Sequence, residues 1–218
     1  MKHYYFNGLL FIFIFFIFSL CTMATDSDIL KLPEPNTSGG MPLLDALKSR
    51  ESSREYSTAK LSEQKLSDLL WAAFGISRTE KGLRTAPSAR NWQDIDIYVV
   101  LAEGWFLYDH NKHALIRKGG EDIRKYTGSQ NFVKEAPVNF VYVSDYKKMS
   151  DGIDEEIKSF YAANHAGYIS QNIYLYCASE GLATVVRGAI DRDKIHKTLK
   201  LKDHQHVIFA QTVGYPKE

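Results

Sequence analysis

The longest helical signal runs from Ile153 to Leu182, and it constrains the fold more than any other stretch. Its first half is amphipathic, with Ile153, Ile157, Phe160 and Tyr161 as the apolar set. Its second half, AGYISQNIYLYCASEGLA, is apolar nearly all round. A helix with no polar face must be covered on most sides, either inside the fold or against a second subunit.

The flanking segments supply partners for it. Pro42 followed by Leu43, Leu44 and Leu47 predicts a first helix to about Ser49. Ser62 caps a second helix in which Leu66, Leu69, Leu70 and Ala73 share one side and Gly75 marks the end. Ile76 to Asn91 reads as a loop. Strands are expected at Ile95–Leu101 and, after a turn at Glu103-Gly104, at Trp105–Tyr108. A short strand is expected at His113–Arg117, and Gly119–Asn131 reads as irregular with one short helix. Val138–Val143 is a strong β signal. Past the long helix, Val185-Val186 is a short piece, Asp191 caps a helix through Leu199, and Val207–Val213 is a last strand. Helices alternating irregularly with hairpin strands predict an α+β fold rather than a βαβ repeat.

The first 24 residues differ in kind. Lys2 precedes the apolar run LLFIFIFFIFSL, and a small residue, Ala24, follows. This pattern predicts a signal peptide over 1–24 and export, to the periplasm in a bacterial cell. An uncleaved anchor and lipidation at Cys21 are the alternatives. Removing these residues takes away Lys2 alone among charges, leaving 26 basic and 26 acidic groups from the original 27 and 26. It leaves Cys177 as the one cysteine, which excludes an intrachain disulfide and a cysteine-based metal site. Residues 25–41, with Pro33, Pro35, Gly39 and Gly40, read as an extended leader, and 42–218 as one domain. The basic residues are spread along the chain and the net charge is +1, which argues against a nucleic-acid partner.

Two polar stretches stand out. Arg50 and Arg54 lie four apart just past the first helix, with hydroxyls at Ser49, Ser52 and Ser53. Guanidiniums bind phosphate bidentately and hydroxyls complete its hydrogen bonds, so the stretch suits a phosphate cradle. The competing reading is a solvated loop neutralised by Glu51 and Glu55. The second stretch is Arg84-Thr-Ala-Pro-Ser-Ala-Arg-Asn91, where Pro87 restricts the backbone and Ser88 and Asn91 offer hydrogen bonds. Locally, an ordinary turn accounts for it as well as a ligand loop does.

Taken in order, Arg50-x-Ser52-x-Arg54, then Pro87-Ser88-x-x-Asn91 and Ser170-Gln171-Asn172 resemble the flavin-dependent nitroreductase family. Glu180-Gly181-Leu182, Arg187-Gly188 and the closing Val213-Gly214-Tyr215-Pro216 extend the resemblance over nearly all of the mature chain. LLWAAFGISR, RTAPSARN and SQNIYLYCASEGLATVVRG look most like the branch containing the azoline dehydrogenases that form thiazoles and oxazoles in peptides. The resemblance implies a mostly antiparallel central sheet flanked by helices, with the long helix at a homodimer interface. It implies FMN as cofactor, with Arg50, Ser52 and Arg54 holding the phosphate and the ring's polar edge. Pro87, Ser88 and Asn91 would meet the ring edge from the partner subunit's side, and Arg187 and Gly188 would offer backbone contacts to it. The family commonly has Glu where Arg187 stands. The chain reaches Lys217-Glu218 without the basic tail that relatives add to the phosphate site, so Arg50 and Arg54 would carry more of that work.

The implied activity is hydride transfer at the flavin between a reduced nicotinamide, NAD(P)H, or another donor and a small organic acceptor such as a nitroaromatic or quinone. No protein residue is expected to be catalytic. Alternatives are an exported azoline-type dehydrogenase or oxidase, and a non-catalytic flavin-binding partner protein. His165 is expected to be a packed or solvent-facing histidine rather than a proton donor, Cys177 a buried apolar residue, and Trp92 a core residue able to line a pocket. His110, His113, His204 and His206 sit in loop or strand-edge contexts without paired metal-ligand spacing; His204-x-His206 on one strand face is the alternative, and no metal is expected.

Overall fold

The computed structural model describes residues 28–217; the signal-peptide reading of 1–24 lies outside the described residues. Its centre is a seven-stranded sheet. In chain order the strands are β1 (Ile29–Lys31), β4 (Ile95–Leu101), β5 (Gly104–Asp109), β6 (Ala114–Gly119), β7 (Val138–Asp145), β8 (Ala183–Arg187) and β9 (Gln205–Gly214). Side by side they run β1-β6-β5-β4-β7-β9-β8, and every pairing is antiparallel. A separate hairpin joins β2 (Ile76–Arg78) to β3 (Leu83–Arg84). The helices are α1 (Leu43–Ser49), α2 (Glu63–Phe74), α3 (Phe132–Glu135), α4 (Glu155–Glu180) and α5 (Arg192–Thr198).

The period-2 geometry of a strand explains the sheet's two covered faces. On β4 and β7, Ile97, Val99, Phe140 and Tyr142 point to one side, where they pack with Leu69 and Leu70 of α2 and Ile169 and Ile173 of α4. Their neighbours Tyr98, Val100, Val141 and Val143 point to the other, against Ile195 and Leu199 of α5 and its end. Both faces being buried is why VNFVYV reads as an almost unbroken apolar run. Leu69 and Leu70 are fully buried, each contributing roughly 1.5–3 kcal/mol of transfer free energy.

The helix boundaries follow local chemistry. Ser62 Oγ accepts the Lys65 amide at 3.2 Å and starts α2. Gly181, at φ +65°, takes the left-handed position that ends α4. The apolar second half of α4 is covered by the sheet, α1 and α2. Its residual exposed apolar side chains are Ile157, Phe160 and Tyr168, mostly in the first half, and α1 adds exposed Leu43, Leu44 and Leu47.

Two segments are more ordered than their sequence suggested. Within the expected leader, Ile29–Lys31 pairs with Ala114–Ile116 as an edge strand, and Asn36 donates to Asp68 of α2 through its backbone and side-chain nitrogens. The expected loop 76–91 contains the β2–β3 hairpin, closed by Gly82 at φ +60°.

Candidate functional site

Helix α1 stops because Arg50 turns out of helical geometry, at φ −57° and ψ 121°. The chain then runs along the outer edge of β8. The Ser53 amide donates to Thr184 O at 2.9 Å, the Ser57 amide to Tyr215 O at 2.9 Å, and Tyr56 bridges to Pro216. Tyr56 is buried, and burial raises its pKa, against the opposing effects of Arg187 and Arg54. This anchoring presents Arg50, Ser52 and Arg54 at the sheet edge beside α4.

Tyr174 of α4 organises the cradle. Its hydroxyl accepts the Val186 amide at 3.0 Å and bonds Ser52 Oγ at 2.8 Å. The Arg50 guanidinium carbon lies 5.3 Å from the centre of the Tyr174 ring. A cleft of about 250 Å³ opens nearby, with Ser49, Glu51, Ser53, Tyr174, Cys177 and Thr184 among its walls; Arg50, Ser52 and Arg54 do not line it. Neither guanidinium makes a hydrogen bond or ion pair among the described residues, so Glu51 and Glu55 do not neutralise them. Two unspent planar donors beside hydroxyls fit a phosphate monoester. Cys177 is buried, and burial pushes its thiol pKa up, so it offers no thiolate to this cleft.

The loop carrying Pro87, Ser88 and Asn91 sits elsewhere on α4. Arg90, Asn91 and Gln93 adopt φ of 50°, 56° and 49°. Left-handed backbone costs a non-glycine residue roughly 1–2 kcal/mol, so this loop is held rather than relaxed. Gln93 is the hub. Its amide donates to Ser88 Oγ at 2.9 Å, and its Nε2 donates to Asn91 Oδ1 at 2.9 Å and Gly82 O at 3.0 Å. Its Oε1 accepts from Arg84 Nε at 2.8 Å. With Oδ1 so occupied, Asn91 presents its Nδ2 donor outward.

Beneath the hub, Arg84 is buried, stacks 4.4 Å over Phe74 and donates to His110. Burial first, then Arg84, lowers the His110 pKa to about 4, keeping the ring neutral as an acceptor. Burial likewise brings Arg84 down to about 10. On the helix side, Trp92 packs edge-on against Tyr161, and the Ala89 amide donates to His165 Nε2 at 2.8 Å. His165 Nδ1 meets Asp94 Oδ1 at 2.6 Å. His165 is thus a packed, bonded histidine, as expected, and Trp92 lies beside the loop.

The cradle contacts α4 at Tyr174 and the loop contacts it at His165, nine residues earlier. At 1.5 Å per residue these points lie roughly 13 Å apart along the helix. One chain therefore displays the two halves at separate stations.

Arg187 goes a different way. Its side chain leaves β8 on the face away from α4 and is buried, donating to Thr127 O and, at 2.9 Å, to Asn139 Oδ1. Its Nε has no hydrogen-bond partner among the described residues, and burial lowers its pKa to about 10. Gly188 beside it is exposed, and the nearest side chain to the space a Cβ would fill there is the Phe209 ring, at 3.8 Å. His204 reaches Asp145 at 3.8 Å and His206 stacks on Tyr146 at 3.9 Å. Among the described residues no group of three or more His, Cys, Asp or Glu is placed to hold a metal ion.

Sequence reasoning missed Tyr174, Gln93 and Asp94. Tyr174 looked like one more apolar residue of the long helix, and Gln93 and Asp94 like ordinary polar turn residues; only the tertiary contacts give them roles.

Comparison with known proteins bears on this geometry. The model of the nitroreductase family matches residues 47–215, from the end of α1 to the last strand. A candidate nitroreductase of Methanocaldococcus jannaschii is 31% identical over 173 residues, spanning 74% of this chain and 86% of that protein. A solved candidate nitroreductase of Ralstonia eutropha JMP134 has a TM-score of 0.83 and 39% identity, covering 88% of this chain and 90% of its own. An NADPH:FMN oxidoreductase of Vibrio harveyi, solved with NAD+, shares the fold at a TM-score of 0.60 and 18% identity, over 81% of this chain and 69% of its own.

Proposed function

Because the chain belongs to the nitroreductase family, we propose that it is an FMN-dependent oxidoreductase passing electrons from NAD(P)H or another reduced donor to a small organic acceptor, such as a nitroaromatic or a quinone. The observation that carries the cofactor assignment is the pair of unpaired guanidiniums, Arg50 and Arg54, beside Ser52 and Ser53. They have the chemistry of a phosphate-monoester site, and flavin mononucleotide ends in that group. The family and the named activity of the Vibrio harveyi protein point to the same cofactor. Bound flavin would supply reversible two-electron carriage at N5. Arg50 and Arg54 would fix the phosphate, Asn91 Nδ2 would donate to an acceptor on the ring edge, and Gly188 would leave room for the ring against the backbone.

The two halves stand roughly 13 Å apart along α4, and because nitroreductases typically pair two subunits, we take the site to be shared between two chains. In a homodimer the Asn91 loop of one chain would close the cradle of the other. Exposed Leu43, Leu44 and Leu47 of α1 and Ile157, Phe160 and Tyr168 of α4 supply apolar surface for such an interface. The apolar run before Ala24 favours export. Reduced nicotinamide is scarce outside the cytoplasm, which keeps other electron donors and an azoline-type dehydrogenase or oxidase direction within this reading.

Anaerobic titration of the purified protein tests the reading. A yellow protein bleached by NADH or NADPH supports the reductase assignment. Bleaching by dithionite alone removes nicotinamide as the donor and favours the dehydrogenase or oxidase direction. A colourless protein that no flavin restores refutes the proposal.

A further inference from the structure

The described groups outside the cradle include one buried network that the proposed chemistry does not use: Asp94, His165 and the amide of Ala89. We infer that His165 is a positioning residue for the flavin site, holding the strained Ala89–Gln93 loop so that Asn91 presents its donor outward. The inference rests on the flavin reading above for its consequence, but not for its geometry.

The bonding leaves one arrangement of protons. A backbone amide can only donate, so the Ala89 N–H at 2.8 Å requires an unprotonated Nε2 on His165. The ring proton is then on Nδ1, facing Asp94 Oδ1 at 2.6 Å. Asp94 is fully buried, and its other oxygen accepts from Ser144 Oγ at 2.7 Å. Its backbone oxygen also accepts the Asp145 amide at 2.8 Å, pinning Asp94 to the end of β7. A carboxylate so fixed sets the tautomer and tilt of the imidazole, as such partners do for functional histidines elsewhere.

The imidazole in turn grips the loop where its backbone is least favourable. The residue after Ala89 begins the run of positive φ at Arg90, Asn91 and Gln93. The Gln93 bonds to Ser88 and Asn91 tie the loop to itself, and the His165 bond ties it to α4. Trp92 is clamped on the same side by Tyr161, and its Nε1 donates to Ser150 Oγ at 3.0 Å. With the His165 bond removed, the loop keeps its internal bonds and the Trp92–Tyr161 packing but loses the hydrogen bond that fixes the Ala89 backbone to the helix.

The test compares wild type with His165→Leu and His165→Gln by amide hydrogen exchange of the 88–93 segment and by the visible circular dichroism and midpoint potential of bound flavin. His165→Leu should exchange about three- to tenfold faster at Ala89, as expected for one lost hydrogen bond. Its flavin should stay bound through the phosphate while the dichroism and potential shift. His165→Gln, which keeps one acceptor and one donor, should fall between the two. A folded Leu variant matching wild type in exchange and flavin spectrum overturns the inference. Long-range proton–nitrogen NMR on wild type covers the case in which the Leu variant does not fold. The inference requires His165, among the seven histidines, to carry its proton on Nδ1, and an Nε2–H tautomer overturns it. Wild type that takes up no flavin refutes the function proposed above, while the exchange and tautomer measurements still decide the role of His165 in the loop.

Discussion

Replacing both Arg50 and Arg54 by Ala isolates the phosphate cradle. Among the described residues neither guanidinium has a hydrogen bond or ion pair to lose, so the apo protein should lose little stability. The aromatic contact removed is that of Arg50 with Tyr174, 5.3 Å from the ring centre and worth roughly 0.5–1 kcal/mol. The ligand should respond very differently. A charge-assisted hydrogen bond contributes roughly 1.5–3 kcal/mol, so losing one from each arginine costs about 3–6 kcal/mol of FMN binding. That is a Kd weakened by about two to four orders of magnitude. Arg50→Ala alone should cost more than Arg54→Ala, because Tyr174 already orders the Arg50 side chain and less entropy is lost when it binds. The assay is fluorescence quenching of FMN and of riboflavin, which lacks the phosphate. Wild type should strongly prefer FMN, and the double variant should bind the two flavins about equally. An unchanged preference in a folded double variant would refute the cradle.

Other predictions concern the scaffold. A Cβ at Gly128 would run into Nη1 of Arg187, so Gly128→Ala should cost about 2 kcal/mol in denaturant unfolding. Adding Arg187→Met should recover part of that loss; strictly additive losses would contradict the clash. His110 has its pKa lowered from 6.5 to about 4, so the unfolded chain binds more protons between those values. Stability present above pH 6.5 should fall as pH drops toward 4, by about 1 kcal/mol once solvent screening of this half-exposed ring is allowed for. His110→Gln should flatten the dependence of Tm on pH in that window, and an unaltered slope would assign the acid sensitivity to other groups. Cys177 should resist iodoacetamide in the native protein and react on unfolding, since burial keeps its thiol protonated; rapid native labelling would contradict its place in the core.

The features legible in the sequence were those with local causes. Ser62 and Gly75 marked the ends of a helix through capping chemistry, and the apolar runs of β4 and β7 marked strands. The cradle was legible because its residues lie within seven positions of one another. Strand β1 was not, because three residues carry almost no periodic signal and its order comes from β6 across the sheet. The β2–β3 hairpin was hidden for the same reason. The Asp94–His165 contact joins residues 71 apart, and nothing near either residue announces the other. The apolar circumference of α4 was correctly read as a demand for cover. Sequence alone did not show that the fold itself covers most of the second half and leaves exposed Ile157, Phe160 and Tyr168 mainly in the first. Arg187 was read only as one half of an Arg-Gly pair after a short piece at Val185-Val186, and the face its side chain takes depends on Asn139 and Thr127, which come from other segments.

The segment from Ser53 to Ser57 also lies against the last strand of the sheet. Ser53 donates to Thr184 of β8, while Tyr56 and Ser57 close over the end of β9. A bare edge strand is a template for pairing with other chains. The segment that caps the sheet against association thus carries Arg54, with Arg50 three residues before it. Whatever ligand draws Arg50 and Arg54 together also fastens that cap. Its loss would weaken the molecule first at its margin and bring aggregation before global unfolding.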